Sequence, residues 1–139
     1  MSGLVVDASV SAAWFLPDEA TAYTEAALQA TAQTDVWVPA LWTLEMCNLL
    51  LKAQRRHRIN ATQRTELVAA ASALRLHVDR EFVPMAELDA LAARHGLSAY
   101  DAAYLELARR RRLALATQDE SLRRALYDAG VPHAEFMRS

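Results

Sequence analysis

A single cysteine, Cys47, stands among 139 residues, which leaves no internal disulfide framework and no multi-cysteine zinc site. Glycine and proline are also scarce, at three and four residues, and this excludes collagen-like or low-complexity sequence. No apolar run approaches the ~18 residues of a membrane span, and the run through Ala12-Ala13 is soon cut by Pro17-Asp18-Glu19. The first residues lack a basic stretch, so no signal peptide is expected, and the expected location is the cytoplasm with no membrane partner. Net charge is nearly absent, at −2, while hydrophobic residues make up 53%, a balance that argues against disorder. Lysine is almost missing: fourteen of the 15 basic residues are arginine, and Lys52 is the exception. Arginine forks suit phosphate partners. The 29 alanines, however, attribute the same bias to a GC-rich genome, and a pI near 6.1 argues against a generally basic surface.

Strand and helix signals alternate along the chain. Leu4-Val5-Val6 ends at Asp7 and reads as a buried strand. Asp18 follows Pro17 as an N-cap for a helix through about Gln33. Val36-Trp37-Val38 reads as a second strand, followed by a helix from about Ala40 to Arg58. Asn60-Ala61-Thr62-Gln63 fits a capping box for a helix ending near Leu74. Leu76 to Val78 reads as a third strand, and the next helix runs from Met85 to a stop at Gly96. Ser98 opens a helix reaching Arg112, and Leu113 to Ala116 is a fourth strand. The last helix begins near Thr117 and ends at Gly130, with Pro132 just beyond, and Val131 to Phe136 is a candidate final strand. Strands separated by helices imply an α/β fold with a mostly parallel sheet covered on both faces.

Most of the seventeen acids fit solvated helix faces, but four do not. Asp7 sits at the carboxyl end of the first strand, where open α/β sheets place ligand sites; standing alone, it equally caps the next turn. Glu45 lies on a helix stripe with Leu41, Trp42 and Leu49, and an inward charge is costly unless it is paired or bound to metal. Asp101 follows Ser98 with capping-box spacing, yet it opens a helix that is apolar nearly all round and hence buried. Asp119 follows the fourth strand in Thr117-Gln118-Asp119-Glu120, where Thr117 and Glu120 also fit a capping box. Four acids at such comparable places suggest one convergent site. Crowded carboxylates select a hard divalent cation, Mg²⁺ or Mn²⁺ rather than zinc, and such ions serve hydrolysis at phosphorus.

Val5-Val6-Asp7-Ala8-Ser9, Glu45, Leu97-Ser98-Ala99-Tyr100-Asp101-Ala102-Ala103-Tyr104 and Leu115-Ala116-Thr117-Gln118-Asp119 together resemble PIN-domain nucleases, and among these a VapC-type toxin of a type II toxin–antitoxin system. The resemblance spans essentially the whole chain and implies a single PIN domain over residues 1–139, a three-layer sandwich with helices on both faces of the sheet. It implies that Asp7, Glu45, Asp101 and Asp119 form the catalytic metal site, with Ser9 and Thr117 as hydroxyl support. Gln118 departs from the family, which often has a small residue before the fourth acid. The implied activity is Mg²⁺- or Mn²⁺-dependent endoribonuclease cleavage of transfer or ribosomal RNA, held in check by a cognate antitoxin, in a homodimer. A PIN-fold housekeeping RNA-processing nuclease and a non-catalytic binding module are the alternatives. A signalling receiver domain needs a second acid beside Asp7 and a late lysine, and this chain has neither.

Lys52, Arg55, Arg56 and Arg58 continue the ridge that begins at Glu45, and Lys52, Arg55 and Arg56 are candidate phosphate contacts. Arg109 to Arg112 close a helix, where cations complement the dipole. The four histidines, His57, His77, His95 and His133, share no ligand-like spacing and read as surface or cap residues. Trp14, Phe15, Trp37 and Trp42 read as core or partner-helix contacts, and Cys47 as a buried small hydrophobe. An antitoxin is expected to insert an Arg or Lys among the four acids, with Trp14, Phe15, Trp42 and Leu49 at the rim holding an amphipathic segment.

Overall fold

The computed structural model describes residues 3–136. Four short strands, β1 (Gly3–Val6), β2 (Asp35–Pro39), β3 (His77–Asp79) and β4 (Ala114–Ala116), form one sheet in the order β3-β2-β1-β4, and every pairing is parallel. Seven helices connect and cover it: α1 (Ala8–Ala12), α2 (Ala22–Ala30), α3 (Leu41–Arg55), α4 (Ala61–Ser72), α5 (Met85–His95), α6 (Ala99–Arg111) and α7 (Glu120–Ala129). The α/β expectation holds, with a sheet wholly parallel among the described residues.

Strand alternation sends side chains to two apolar layers. Val5 and Leu115, register partners once the β1–β4 pairing is counted, join Tyr104, Leu105, Leu122 and Leu126 of α6 and α7. Leu4, Val6, Val36, Ala114 and Ala116 face the opposite layer, with Ala27 of α2 and Ala134. Both faces are therefore covered, as an all-parallel sheet requires. Chain order reverses direction between β1 and β4: β2 and β3 lie on one side of β1, and β4 on the other. The carboxyl ends of β1 and β4 thus flank the switch point at which such sheets open a crevice.

Several helix boundaries follow the local rules. Asn60 and Gln63 close the expected capping box, and Gly96 and Gly130 end α5 and α7 at φ 65° and 71°, in the left-handed region that glycine enters without steric cost. Others correct the sequence reading. Pro17–Glu19 is an isolated 3₁₀ turn, and α2 starts at Ala22 with Thr21 as its cap, because Thr21 and Thr24 close their own capping box. Asp18 is engaged elsewhere, accepting from Arg58 at 2.7 Å. Asp119, not Thr117, caps α7. Val131 to Phe136 forms a single bridge, Leu115 to His133, in place of the expected strand. Cys47 is exposed, on the side of α3 that carries Thr43 one turn before it and turned away from the inward stripe of Trp42, Met46 and Leu50. Trp42 is core, with its Nε1–H donating to Ser11 Oγ at 2.9 Å and so pinning α3 to α1.

The arginine run at the end of α6 has a structural task. Asp79, 6% exposed at the end of β3, accepts from Arg110 at 2.7 and 3.1 Å and from Arg111 at 3.0 and 3.2 Å. Arg111 also lies 3.7 Å from the centre of the Trp37 ring, a cation–π contact. The arginine bonds hold the Asp79 carboxyl below its ordinary range. That stability is present above the unfolded-state pKa of about 3.9 and is lost as pH falls through the lower folded value. Asp79→Asn is expected to cost roughly 2 kcal/mol at pH 7, less than breaking a fully buried pair because the arginines are partly exposed. In urea titrations the gap between variant and parent should close toward pH 3; a gap independent of pH would show that charge is not the cause.

A carboxylate-lined cleft

Asp7, Glu45, Asp101 and Asp119, drawn from four separated segments, line one cleft of about 690 Å³. Ser9, Asn48, Lys52 and Tyr100 share its wall, and no histidine or cysteine does. Each acid arrives by a different local device.

Asp7 follows β1 directly. Its amide donates to the Ala116 carbonyl at 3.1 Å, so the β1–β4 ladder runs one step past the strand and fixes the residue at the switch point. Its side chain is the N-cap of α1: Oδ1 accepts from the Val10 amide and the Ser9 hydroxyl, both at 2.9 Å, while Oδ2 accepts from the Thr117 hydroxyl. The group is 5% exposed. Burial pushes its pKa up, against the three hydrogen bonds that favour the anion, and the Asp119 charge adds to the rise.

Glu45 is half-buried on the inward stripe of α3, between Leu41 and Leu49, as its spacing predicts. The Tyr104 hydroxyl donates to its Oε1 at 2.7 Å. Burial raises the Glu45 carboxyl and the charges of Asp101 and Asp7 add to this, with Tyr104 opposing; the Tyr104 hydroxyl is itself pushed well up by burial and by Glu45. Tyr104 reads as a core aromatic in sequence. Its spacing from Asp101, three residues on along the same helix, was the available signal that it faces the site.

Asp101 lies in the first turn of α6. Ser98 Oγ accepts from the Asp101 amide at 3.1 Å, which is half of the expected capping box and leaves the carboxylate to the cleft. Burial raises its pKa, with the Asp119 and Asp7 charges adding. Asp119 is exposed, and its Oδ2 accepts from the Leu122 amide at 2.8 Å as the cap of α7. Thr117 is buried and binds both neighbours, donating to Asp7 and accepting from the Asp119 amide at 3.0 Å.

The other sequence-derived residues divide. Ser9 and Thr117 stand against Asp7, and Lys52 lines the cleft. Arg55 and Arg56 are exposed at the end of α3 and do not line it, because they lie about 15 Å along the axis past Glu45, Arg56 as the residue that closes the helix; Arg58 pairs with Asp18 and Glu19. Of the four residues expected at an apolar rim, Leu49 is there. Trp14 bonds the Thr24 carbonyl, Phe15 packs on the core, and Trp42 is buried against Ser11, so the rim is made instead by Leu41, Leu44 and Tyr100.

The donor set suits a hard cation: it is all oxygen, three of its carboxylates resist ionisation, and among the described residues Lys52 is the one cation on the cleft wall. Among the described residues no three of the acids have closed to the spacing of a formed ion site. The cleft brings the four acids around a shared space.

A family profile described as PIN domain matches residues 4–125. Among solved structures, the chain is similar to PAE2754 from Pyrobaculum aerophilum, with 25% identity and a TM-score of 0.69 over 89% of this chain and 79% of that one. It is similar in fold to FitAcB from Neisseria gonorrhoeae, with 19% identity and a TM-score of 0.65 over 95% and 96% of the two chains. A comparison with curated proteins finds no match.

The raised carboxyls set a sign for stability. A group whose folded pKa exceeds its unfolded value supports the fold below the unfolded pKa, near 4, and loses that support as pH rises through the folded value. Neutralising Asp101, which is half exposed, should therefore stabilise the metal-free protein at pH 7 by no more than about 1 kcal/mol, or roughly 2–4 °C in melting temperature. Melting curves of Asp101→Asn and the parent in EDTA should differ in that direction at pH 7 and converge toward pH 4. A lower melting temperature for the variant at pH 7 would contradict mutual repulsion at the cleft.

Proposed function

Since the chain belongs to the PIN-domain family, we propose that it is a metal-dependent endoribonuclease, folded as one catalytic domain and acting as the VapC-type toxin of a toxin–antitoxin pair. The observation that carries this reading is the arrival of four acids from four segments in a single all-oxygen cleft at the switch point of the sheet.

Asp7, Glu45, Asp101 and Asp119 would hold Mg²⁺ or Mn²⁺, which when bound lowers the pKa of water and stabilises charge developing at phosphorus. The protein's own part is positioning. Ser9, the Val10 amide and Thr117 hold both oxygens of Asp7 in one orientation. Tyr104 holds Oε1 of Glu45 and leaves Oε2 to the cleft, and the Leu122 amide does the same for Asp119 by taking Oδ2. Lys52 lies two helical turns beyond Glu45 on α3, a rise of about 10 Å, where an ammonium suits a phosphate flanking the one being cleaved. Tyr100, 63% exposed at the mouth, offers a face on which a base can stack.

The antitoxin reading draws on the same surface. Leu41, Leu44 and Leu49 border the acids, and Leu44 is 69% exposed. An amphipathic segment lying on these leucines would bring a guanidinium onto two carboxylates.

Asp7→Asn should lower Mg²⁺- or Mn²⁺-dependent cleavage of RNA by about 100-fold or more, with the fold retained, and EDTA should silence the parent. Retained cleavage by both Asp7→Asn and Asp101→Asn, in protein cleared of contaminating nuclease, refutes the site. Lys52→Ala should raise KM roughly three- to tenfold with kcat little changed, the pattern of a lost binding contact. For the partner, co-expression with the neighbouring small reading frame and substitution of its candidate basic residue by Ala should weaken both binding and RNase inhibition. If both survive, the antitoxin does not act by inserting a basic side chain among the four acids.

A further inference from the structure

The carboxyl-terminal segment reaches back to the site through one side chain. Beyond α7, the Leu115 amide donates to the Pro132 carbonyl at 3.0 Å and the Ala134 amide to the Leu115 carbonyl at 2.8 Å, which seats His133 beside the end of β4. There His133 Nε2 stands 2.8 Å from the Thr117 carbonyl oxygen. A carbonyl only accepts, so Nε2 carries the proton and donates. The ring is held in place on three sides. It stacks on Tyr23 at 5.4 Å with 7° between the planes, its Nδ1 lies 3.0 Å from Glu135 Oε1, and the Tyr23 hydroxyl, 3.0 Å from Nε2, donates to the Ala134 carbonyl at 2.7 Å. The side chain is 17% exposed, so it is a half-buried group engaged on several sides, where its sequence context suggests a surface or cap residue.

Thr117 is the node this clamp grips. Its hydroxyl spends its single proton on Asp7 Oδ2 and accepts the Asp119 amide, so the hydroxyl position fixes the first and fourth acids relative to each other. The hydroxyl's own position depends on how the Thr117 peptide is oriented, and the carbonyl of that peptide is what His133 holds. We propose that His133 is a positioning residue for the acid cluster: by donating to the Thr117 carbonyl it sets the orientation of Asp7 and Asp119 for a divalent cation. The proposal rests on the reading of the cleft as a metal site.

The length of the side chain provides the test. A Gln amide nitrogen reaches about where Nε2 stands, whereas an Asn amide stops near Nδ1, so His133→Gln keeps a donor to Thr117 and His133→Asn does not. Mn²⁺ affinity of the full chain, measured by calorimetry in the absence of RNA, should be within about threefold of the parent for His133→Gln. It should fall about tenfold for His133→Asn, the scale on which groups that orient metal ligands act. Melting in EDTA checks that the variants are folded, and Tyr23→Phe, which keeps the ring stack, should fall between them. Parent-like affinity in His133→Asn overturns the proposal. Equal losses in both amide variants assign the effect to the ring stack and overturn the hydrogen-bond role. If the parent shows no Mn²⁺ binding that Asp7→Asn abolishes, the metal-site reading itself fails and the proposal falls with it.

Discussion

The hydroxyl of Thr117 donating to the buried carboxylate of Asp7 is the contact on which the site depends. It bridges the ends of β1 and β4 across the point where the sheet changes direction, just past the place where the Asp7 amide extends the ladder to Ala116. A carboxylate 5% exposed is tolerable only with its oxygens satisfied, and Asp7 has a donor on each, with two on Oδ1. The donors offset the burial only partly, since its pKa is still raised. A residue that destabilises its own charge in the folded chain, yet is wrapped in donors that orient that charge, is what the proposed cation site requires of its first acid.

Three of the four acids also lie at helix N-termini. Asp7 and Asp119 are the caps of α1 and α7, and Asp101 is in the first turn of α6. Backbone amides and, for the two longer helices, the positive end of the dipole favour these anions and limit the cost of gathering them. Glu45 is the exception. It lies mid-helix with no free amide nearby, and a phenol from α6 fills that role. The tie also joins α3 to α6, so the two walls of the cleft are fastened through one of its four acids rather than beside it.

Much of this was legible in sequence, for physical reasons. β1, β2 and β4 carry short buried apolar runs, β3 lies at His77–Asp79, one residue on from the Leu76 to Val78 read in sequence, and α3 carries its acid on a clear helical stripe with Leu41 and Leu49. Asn60, Gly96 and Gly130 act through contacts with residues a few positions away, so local rules place them correctly. The order of four acids relative to those elements was therefore readable too. Of what holds the acids, the hydroxyls of Ser9 and Thr117 were expected from the family resemblance, but the pairings were not readable from the residues themselves. Tyr104 meets Glu45 across 59 residues, Thr117 meets Asp7 across 110, and Tyr23 meets His133 across 110. Local spacing can at most say which face a side chain is on, as the step of three residues from Asp101 does for Tyr104; it does not name the partner, and each of these side chains has a bland alternative in the core or at a cap.

The misread helix starts show the same division from the other side. Thr117 has the spacing of a cap for α7, with Glu120 three residues on, and a local rule selects it. Its hydroxyl is already committed to Asp7, and it accepts the Asp119 amide instead of an amide of the helix, so Asp119 takes over the capping. A tertiary hydrogen bond thus decides which residue begins the helix, and by doing so leaves Asp119 with one carboxylate oxygen bound to α7 and one toward the cleft. The five residues of α1 escape notice because one and a half turns are too short to show a period, and because its cap is the same Asp7 that the site uses. Where a residue serves both a helix end and a site, sequence rules see the first role or the second. The fold meets both with different oxygens of one carboxylate at Asp119, and at Asp7 by adding Ser9 and Thr117 to the capping amide of Val10.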